Sequence, residues 1–157
     1  MKKALALLLM GTLTAVAFAA GTHGSGHDVA AKLDQAVGQA GDPAKVNRTV
    51  AVSLGDDMRF TPSQISVKAG ETIRFFVKNS GKLEHEMVIG TLDELKSHAE
   101  MMRTMPGMKH AEPNTISLAA GQRGGIVWQF DEAGSVDFAC LVPGHLEAGM
   151  VGQVLVE

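Results

Sequence analysis

The stretch FACLVPGHLEAGM, Phe138 to Met150, holds the single cysteine of the chain. His145 follows Cys140, and Met150 follows His145, each after four intervening residues, in the pattern Cys-x4-His-x4-Met. A thiolate, an imidazole and a thioether in one Gly/Pro loop make a soft donor set, which suits copper in both of its common oxidation states. One type of mononuclear copper site takes two imidazoles and a thiolate in a near-trigonal plane, with a methionine sulfur farther off along the axis. The loop supplies one of each, so a second imidazole must come from elsewhere. His85 is the best candidate, because it lies where the turn SGKLE meets the strand-like HEMVIG. His98 and His110 are rivals in a segment where rigid placement is harder. Zinc is the rival metal, but it gains little from an axial methionine and usually takes a fourth strong ligand in a closed site. The plainer alternative makes Cys140 a small buried residue with His145 and Met150 incidental. That leaves the spacing unexplained.

The rest of the chain must position these side chains. Its 157 residues suffice for one domain of usual size. Lys2 and Lys3 precede an apolar run from Ala4 to Leu9 that continues through Val16 to Phe18, and Ala17-Phe18-Ala19 has the small-x-small pattern of signal cleavage. Residues 1–19 are therefore expected to be a secretory signal, with a periplasmic mature protein and no membrane span after its removal. Loss of the two lysines takes the net charge from −3 to about −5. That acidity argues against nucleic acid or anionic lipid as the main partner. An exported compartment is oxidising, and a lone cysteine there cannot close an internal bridge.

Residues 20–48, rich in Gly, Ala, Asp and Gln and carrying His23 and His27, are expected to be a flexible leader. Residues 49–157 then form one domain. Alternating apolar positions or short apolar runs predict strands over Thr49–Leu54, around Ile65 and Val67, around Ile73, Phe75 and Val77, and over His85–Ile89. Others follow at Thr115–Leu118, Gly125–Phe130, Ser135–Ala139 and Gly149–Val156. About eight short strands at this spacing call for an all-β fold, an antiparallel two-sheet sandwich or barrel. Thr91–His110 interrupts them as a helical insertion over one end, with Leu92, Leu95 and Ala99 on one side and Pro106-Gly107 as the stop. Within it, HAEMMRTMPGMKH has Met101, Met102, Met105 and Met108 close together. These thioethers either pack the insertion onto the sandwich or form a second, labile Cu(I) site with His98 or His110. A Met-rich docking face for a partner is a third use.

The upstream His85, the loop bearing Cys140, His145 and Met150, and the entry MRFTPSQISVKAGETIRF together resemble the cupredoxins, the small blue copper proteins, over about Val46–Glu157. The cysteine–histidine spacing resembles rusticyanin-type sites. The resemblance implies a Greek-key β-sandwich with one type 1 copper at one end. His85, Cys140 and His145 would be its strong ligands and Met150 its weak axial one. Many members have Asn directly after the first histidine, bonded across to the cysteine loop. Here Glu86 stands there, and its carboxylate can still accept from backbone N–H groups. Glu84 precedes His85, so an azurin-like glycine carbonyl ligand is not implied.

The chain is also similar to periplasmic copper-resistance cupredoxins, which implies copper tolerance through one-electron chemistry, with the copper ion and a periplasmic redox or copper-handling protein as partners. The alternative is a soluble electron shuttle between periplasmic redox partners. An enzyme is not expected, since the sequence lacks the His-x-His pairs of a trinuclear copper cluster.

Overall fold

The computed structural model describes residues 38–105 and 112–157. The expected signal, most of the leader, Met108 and His110 lie outside the described residues. The described residues form ten strands: β1 (Gln39–Ala40), β2 (Arg48–Gly55), β3 (Arg59–Thr61), β4 (Gln64–Val67), β5 (Thr72–Asn79), β6 (His85–Gly90), β7 (Thr115–Leu118), β8 (Arg123–Gln129), β9 (Gly134–Ala139) and β10 (Val151–Val156). They make two five-stranded sheets, ordered β1-β8-β5-β2-β3 and β4-β10-β9-β6-β7. The expected sandwich is thus present, with two corrections. It is mixed, because β2 pairs β5 and β4 pairs β10 in parallel. It also starts before residue 49. β1 pairs β8, the Gly41 amide donates to the Val127 carbonyl at 2.9 Å, and Pro43–Lys45 forms a 3-10 turn.

Alternation explains the core. Val52 and Leu54 of β2, Ile65 and Val67 of β4, and Ile73, Phe75 and Val77 of β5 point inward and are buried. Phe60 meets Phe138 edge-to-face at 4.9 Å between ring centroids, and Phe75 meets Phe130 at 6.2 Å. β6 is buried on both faces. His85, Met87 and Ile89 turn toward the opposite sheet, whereas Val88 packs outward under helix α1 (Leu92–Thr104).

Helix α1 starts at Thr91, whose hydroxyl accepts the Glu94 amide while the Glu94 carboxylate accepts the Thr91 amide, a capping box. Leu95 and Ala99 are buried on Val88, Ala139 and Leu141. The helix therefore covers the outer face of the second sheet, and the Arg103–Glu147 ion pair at 2.6 Å ties its last turn to the Cys140–Met150 loop. Leu92, expected on the packed side, is 38 % exposed, because the first helical residue projects beyond the sheet. Thr104 rather than His110 ends the helix. Met105 precedes Pro106, whose ring disfavours helical backbone there, and Met105 takes φ −129° and ψ 65°. Among the described residues no helix is long and apolar enough to cross a membrane.

Candidate metal centre

Cys140 directly follows β9 and Met150 directly precedes β10. The β9–β10 ladder runs to the Ala139–Val151 pair, and the Cys140 amide extends it by donating to the Met150 carbonyl at 3.1 Å. The loop between is a knot of short turns. The His145 amide donates to the Val142 carbonyl at 2.9 Å, and the Met150 amide to the His145 carbonyl at 3.0 Å. Gly144 and Gly149 both sit at φ 89°, a left-handed turn conformation that side chains with a Cβ resist. Arg59 closes the far side, its guanidinium donating to the Ala148 and Gly149 carbonyls at 3.2 Å each.

His85 enters from the other direction, as the first residue of β6. Its imidazole, the Cys140 sulfur and the His145 imidazole converge, with one ligand atom from each within 4.8 Å of the others. His145 Nδ1 lies 3.2 Å from Cys140 Sγ, and the two rings are 4.9 Å apart. His85, Cys140 and Met150 are fully buried, and His145 is 9 % exposed. Met150 belongs to the same apolar cluster as Cys140. Three of the sequence-predicted residues, His85, Cys140 and His145, are thus brought together. His98 does not join them; it lines a cavity of about 500 Å³ with Met101 and Trp128.

One buried atom tests whether a metal fits. His85 Nδ1 is buried and has no hydrogen-bond partner. Leaving such an atom unpaired costs about 1–3 kcal/mol. A metal in the space shared with Cys140 and His145 removes that penalty. The donors are two imidazoles and one sulfur, and the nearby carboxylates are engaged elsewhere. Glu86 accepts from the Leu141 amide at 3.0 Å and from the Ser117 hydroxyl at 3.1 Å. Asp56 accepts from the Lys82 amide at 2.8 Å, the Leu83 amide at 3.2 Å and His85 Nε2 at 3.0 Å. With three strong donors among the described residues and sulfur among them, the set suits copper better than a closed zinc site.

Asp56 and Arg59 escape sequence reasoning. Both lie near the β2–β3 turn, and their contacts span 29 and about 90 residues of chain. A metal-bound histidine usually has a carboxylate or carbonyl partner, but nothing in the sequence says which of 17 acids it is. Glu86 behaves as its chemistry allows: its carboxylate crosses to the cysteine loop, and its own amide donates to Cys140 Sγ at 3.3 Å.

Electrostatics follow from burial. Desolvation pushes the Cys140 thiol up to about 12, although the Glu86 amide works against it. Burial first, then the nearby His85, lowers His145. The metal-free thiol is therefore protonated at neutral pH, and loading a metal onto sulfur must release that proton. Between about pH 7 and 10, below the raised value of this thiol, apparent copper affinity is expected to rise about tenfold per pH unit. Chelator competition across that range reads the slope. A flat profile would mean that sulfur is not a ligand.

Glu86 is raised chiefly by burial. The folded state then holds this proton more tightly than the unfolded one, so stability falls as pH rises from the unfolded value through the folded one. Glu86→Gln keeps an acceptor for Leu141 and a partner for Ser117 while removing a buried charge. Its metal-free melting temperature at pH 7 is expected to equal or exceed the parent's. Glu86→Ala strands the Leu141 amide and is expected to lose about 1–3 kcal/mol. Thermal melts of both variants check this.

The family of copper binding proteins, plastocyanin/azurin family, matches residues 46–157. The copper-resistant cuproprotein CopI of Rubrivivax gelatinosus is 53 % identical over 156 residues, spanning 96 % of this chain and 94 % of that protein. CopI of Pseudomonas aeruginosa is 36 % identical over 152 residues, spanning 78 % and 83 %. Among solved structures, auracyanin B aligns with a TM-score of 0.62 at 21 % identity, covering 76 % of this chain and 96 % of that one. Auracyanin from Roseiflexus castenholzii aligns at 0.60 and 22 %, covering 71 % and 98 %. These structural likenesses establish the fold. The sequence matches, joined to the buried His–Cys–His cluster, establish that the chain belongs to the plastocyanin/azurin family of copper-binding proteins.

Proposed function

We propose that the protein supports copper tolerance in the periplasm by binding one type 1 copper through His85 Nδ1, Cys140 Sγ and His145 Nδ1, with Met150 as the weak axial ligand. The buried, unpartnered Nδ1 of His85 beside Cys140 and His145 carries this reading. Copper held by such a set supplies one-electron exchange with little rearrangement. The chain's own contribution is a buried, largely apolar pocket. β6 and the β9–β10 ladder fix the donors, and Leu141 and Met150 help to exclude water. His145 alone of the four reaches the surface, beside half-buried Val142 and Leu146, where a periplasmic redox or copper-handling partner could approach. Two relatives named as copper-resistant cuproproteins favour tolerance over a dedicated electron shuttle. The role is binding and electron exchange rather than substrate turnover. Residues 1–19 direct export, and the mature chain begins at Ala20.

Deleting the gene is expected to reduce growth in copper while leaving respiration on ordinary medium intact. Unchanged copper sensitivity with a respiratory defect would instead establish the shuttle.

The methionine run adds a second, labile Cu(I) site. Met101, in the last turn of α1, and the cap residue Met105, whose amide donates to the Met101 carbonyl, are 37 % and 41 % exposed. His98 is one turn from Met101 and Met102. Exposed thioethers contribute little packing, which favours ligation for these two over the packing role. Met102 is half-buried next to the Leu95–Ala99 stripe. Met108 and His110, outside the described residues, complete the set. Changing Met101, Met102, Met105 and Met108 together to leucine is expected to lower Cu(I) stoichiometry by at least one ion without altering the type 1 spectrum. An unchanged stoichiometry returns the run to packing or docking.

A further inference from the structure

We propose that Asp56 is the positioning residue of the metal centre: its carboxylate fixes His85 as the Nε2–H tautomer, aims the Nδ1 lone pair at the copper, and lowers the reduction potential by favouring Cu(II). The inference rests on His85 being a ligand, as proposed above.

The geometry allows one sensible proton placement. His85 Nε2 is 3.0 Å from Asp56 Oδ1, and a carboxylate oxygen only accepts, so Nε2 carries the hydrogen. A ring that ligates a metal must keep its other nitrogen bare, and Nδ1 is buried without a partner. The ring thus has one nitrogen satisfied by Asp56 and the other unpaired, in a side chain that clusters with Cys140 and His145.

Asp56 is itself held rigidly. It sits in the turn between β2 and β3, in the first sheet, whereas His85 opens a strand of the second. The Lys82 and Leu83 amides, in the turn leading into His85, both donate to its carboxylate. Successive backbone N–H groups of this kind form an anion-holding concavity. Asn79 braces the same turn, accepting the Gly81 amide at 2.9 Å and donating to the Leu83 carbonyl at 2.7 Å. Gly81 is required by space: a Cβ there would overlap the Asp56 carboxylate. One side chain therefore links the two sheets at the metal end and sets the ring plane of a ligand.

The choice of a carboxylate has a further consequence. A backbone carbonyl could fix the tautomer equally well, but it carries no net charge. An anion on the far nitrogen makes the imidazole a stronger donor. It also interacts more favourably with a doubly charged than with a singly charged ion. Both effects stabilise Cu(II) more than Cu(I). The Asp56 side chain is 36 % exposed, so solvent screens part of the charge and the effect is moderate.

Three variants of the full mature chain test the proposal: Asp56→Asn, Asp56→Ala and Gly81→Ala. Metal-free melting temperature and circular dichroism establish folding. Nitrogen-15 NMR of the metal-free protein reports the His85 tautomer, and redox titration with chelator competition reports the potential and both affinities. Asp56→Asn keeps an oxygen toward Nε2 and loses the charge. It is expected to retain the tautomer and to lower the ratio of Cu(II) to Cu(I) affinity about tenfold, a rise in potential of about 59 mV. Asp56→Ala loses both functions. It is expected to populate the second tautomer and to weaken Cu(II) binding about 10–100-fold. Gly81→Ala, which displaces the carboxylate without removing it, is expected to move the same readouts in the same direction as Asp56→Ala. Folded variants with the parent's potential and tautomer would overturn the proposal, and Asp56→Asn decides the potential if the alanine variants fail to fold. A parent protein without a type 1 copper spectrum would overturn the ligand reading, and this inference with it. A normal parent spectrum with an unmoved Asp56→Asn potential overturns the inference alone.

Discussion

Cys140→Ser protein loaded with Cu(II) is expected to be colourless where the parent is intensely coloured. The visible band needs a sulfur donor bonded directly to the ion, and the chain offers one thiol. Serine is close to cysteine in size, and the Glu86 amide that donates to the sulfur can donate to the hydroxyl, so the fold is expected to be kept. The change substitutes a hard oxygen, of still higher pKa, for a soft thiolate. Copper affinity is expected to drop by more than the roughly 10–100-fold that follows loss of a mere partner to a ligand. A strain carrying only this variant is expected to be as copper-sensitive as the deletion. Absorption spectra and growth in graded copper check the two halves separately. A variant that keeps its colour would place the metal elsewhere. A colourless variant that still confers tolerance would shift the role to the methionine run.

Phe138→Ala is expected to produce the largest loss of stability. Phe138 is fully buried on β9, stacks edge-to-face on Phe60, and lies between Ile89 of β6 and Gly152 of β10. Removing such a ring costs about 3–5 kcal/mol. Whole domains have only about 5–15 kcal/mol in hand. Urea unfolding of the metal-free variant is expected to show a lower midpoint with an unchanged slope. Phe138 is also two residues from Cys140, so the site and the core share a strand. Copper binds the folded state alone, and free copper at about 1,000 times its dissociation constant restores about 4 kcal/mol. The loaded variant is therefore expected to melt near the metal-free parent. Rescue should fail in the double variant that also carries Cys140→Ser. Rescue that persists there would mean that stabilising metal binds outside the His–Cys–His cluster.

Much of this centre was legible in the sequence because it is local. Cys140, His145 and Met150 occupy one loop, and the strands on either side announce themselves by alternation. His85 was legible by a weaker route, from its place where a turn meets an apolar strand and from the loop's need of a second imidazole. Alternation gives the face of a strand but not its neighbour, so the parallel β2–β5 and β4–β10 pairings were out of reach. β1 and β3, two and three residues long, are too short to show any period. Pro106-Gly107 marked the helix stop in the sequence, and the described helix ends just before it, at Thr104. Asp56 was invisible for a different reason. Its role depends on contact between the β2–β3 turn and the Gly81–His85 segment, 29 residues along the chain from Asp56 to His85, and neither segment alone carries that signal.

X-ray absorption at the copper edge of the purified mature protein, loaded with one equivalent of copper, tests the ligand set most directly. The expected first shell holds two imidazole nitrogens and one short copper–sulfur bond, and the sulfur scatterer disappears in Cys140→Ser. A first shell of nitrogen and oxygen alone in the parent would contradict it.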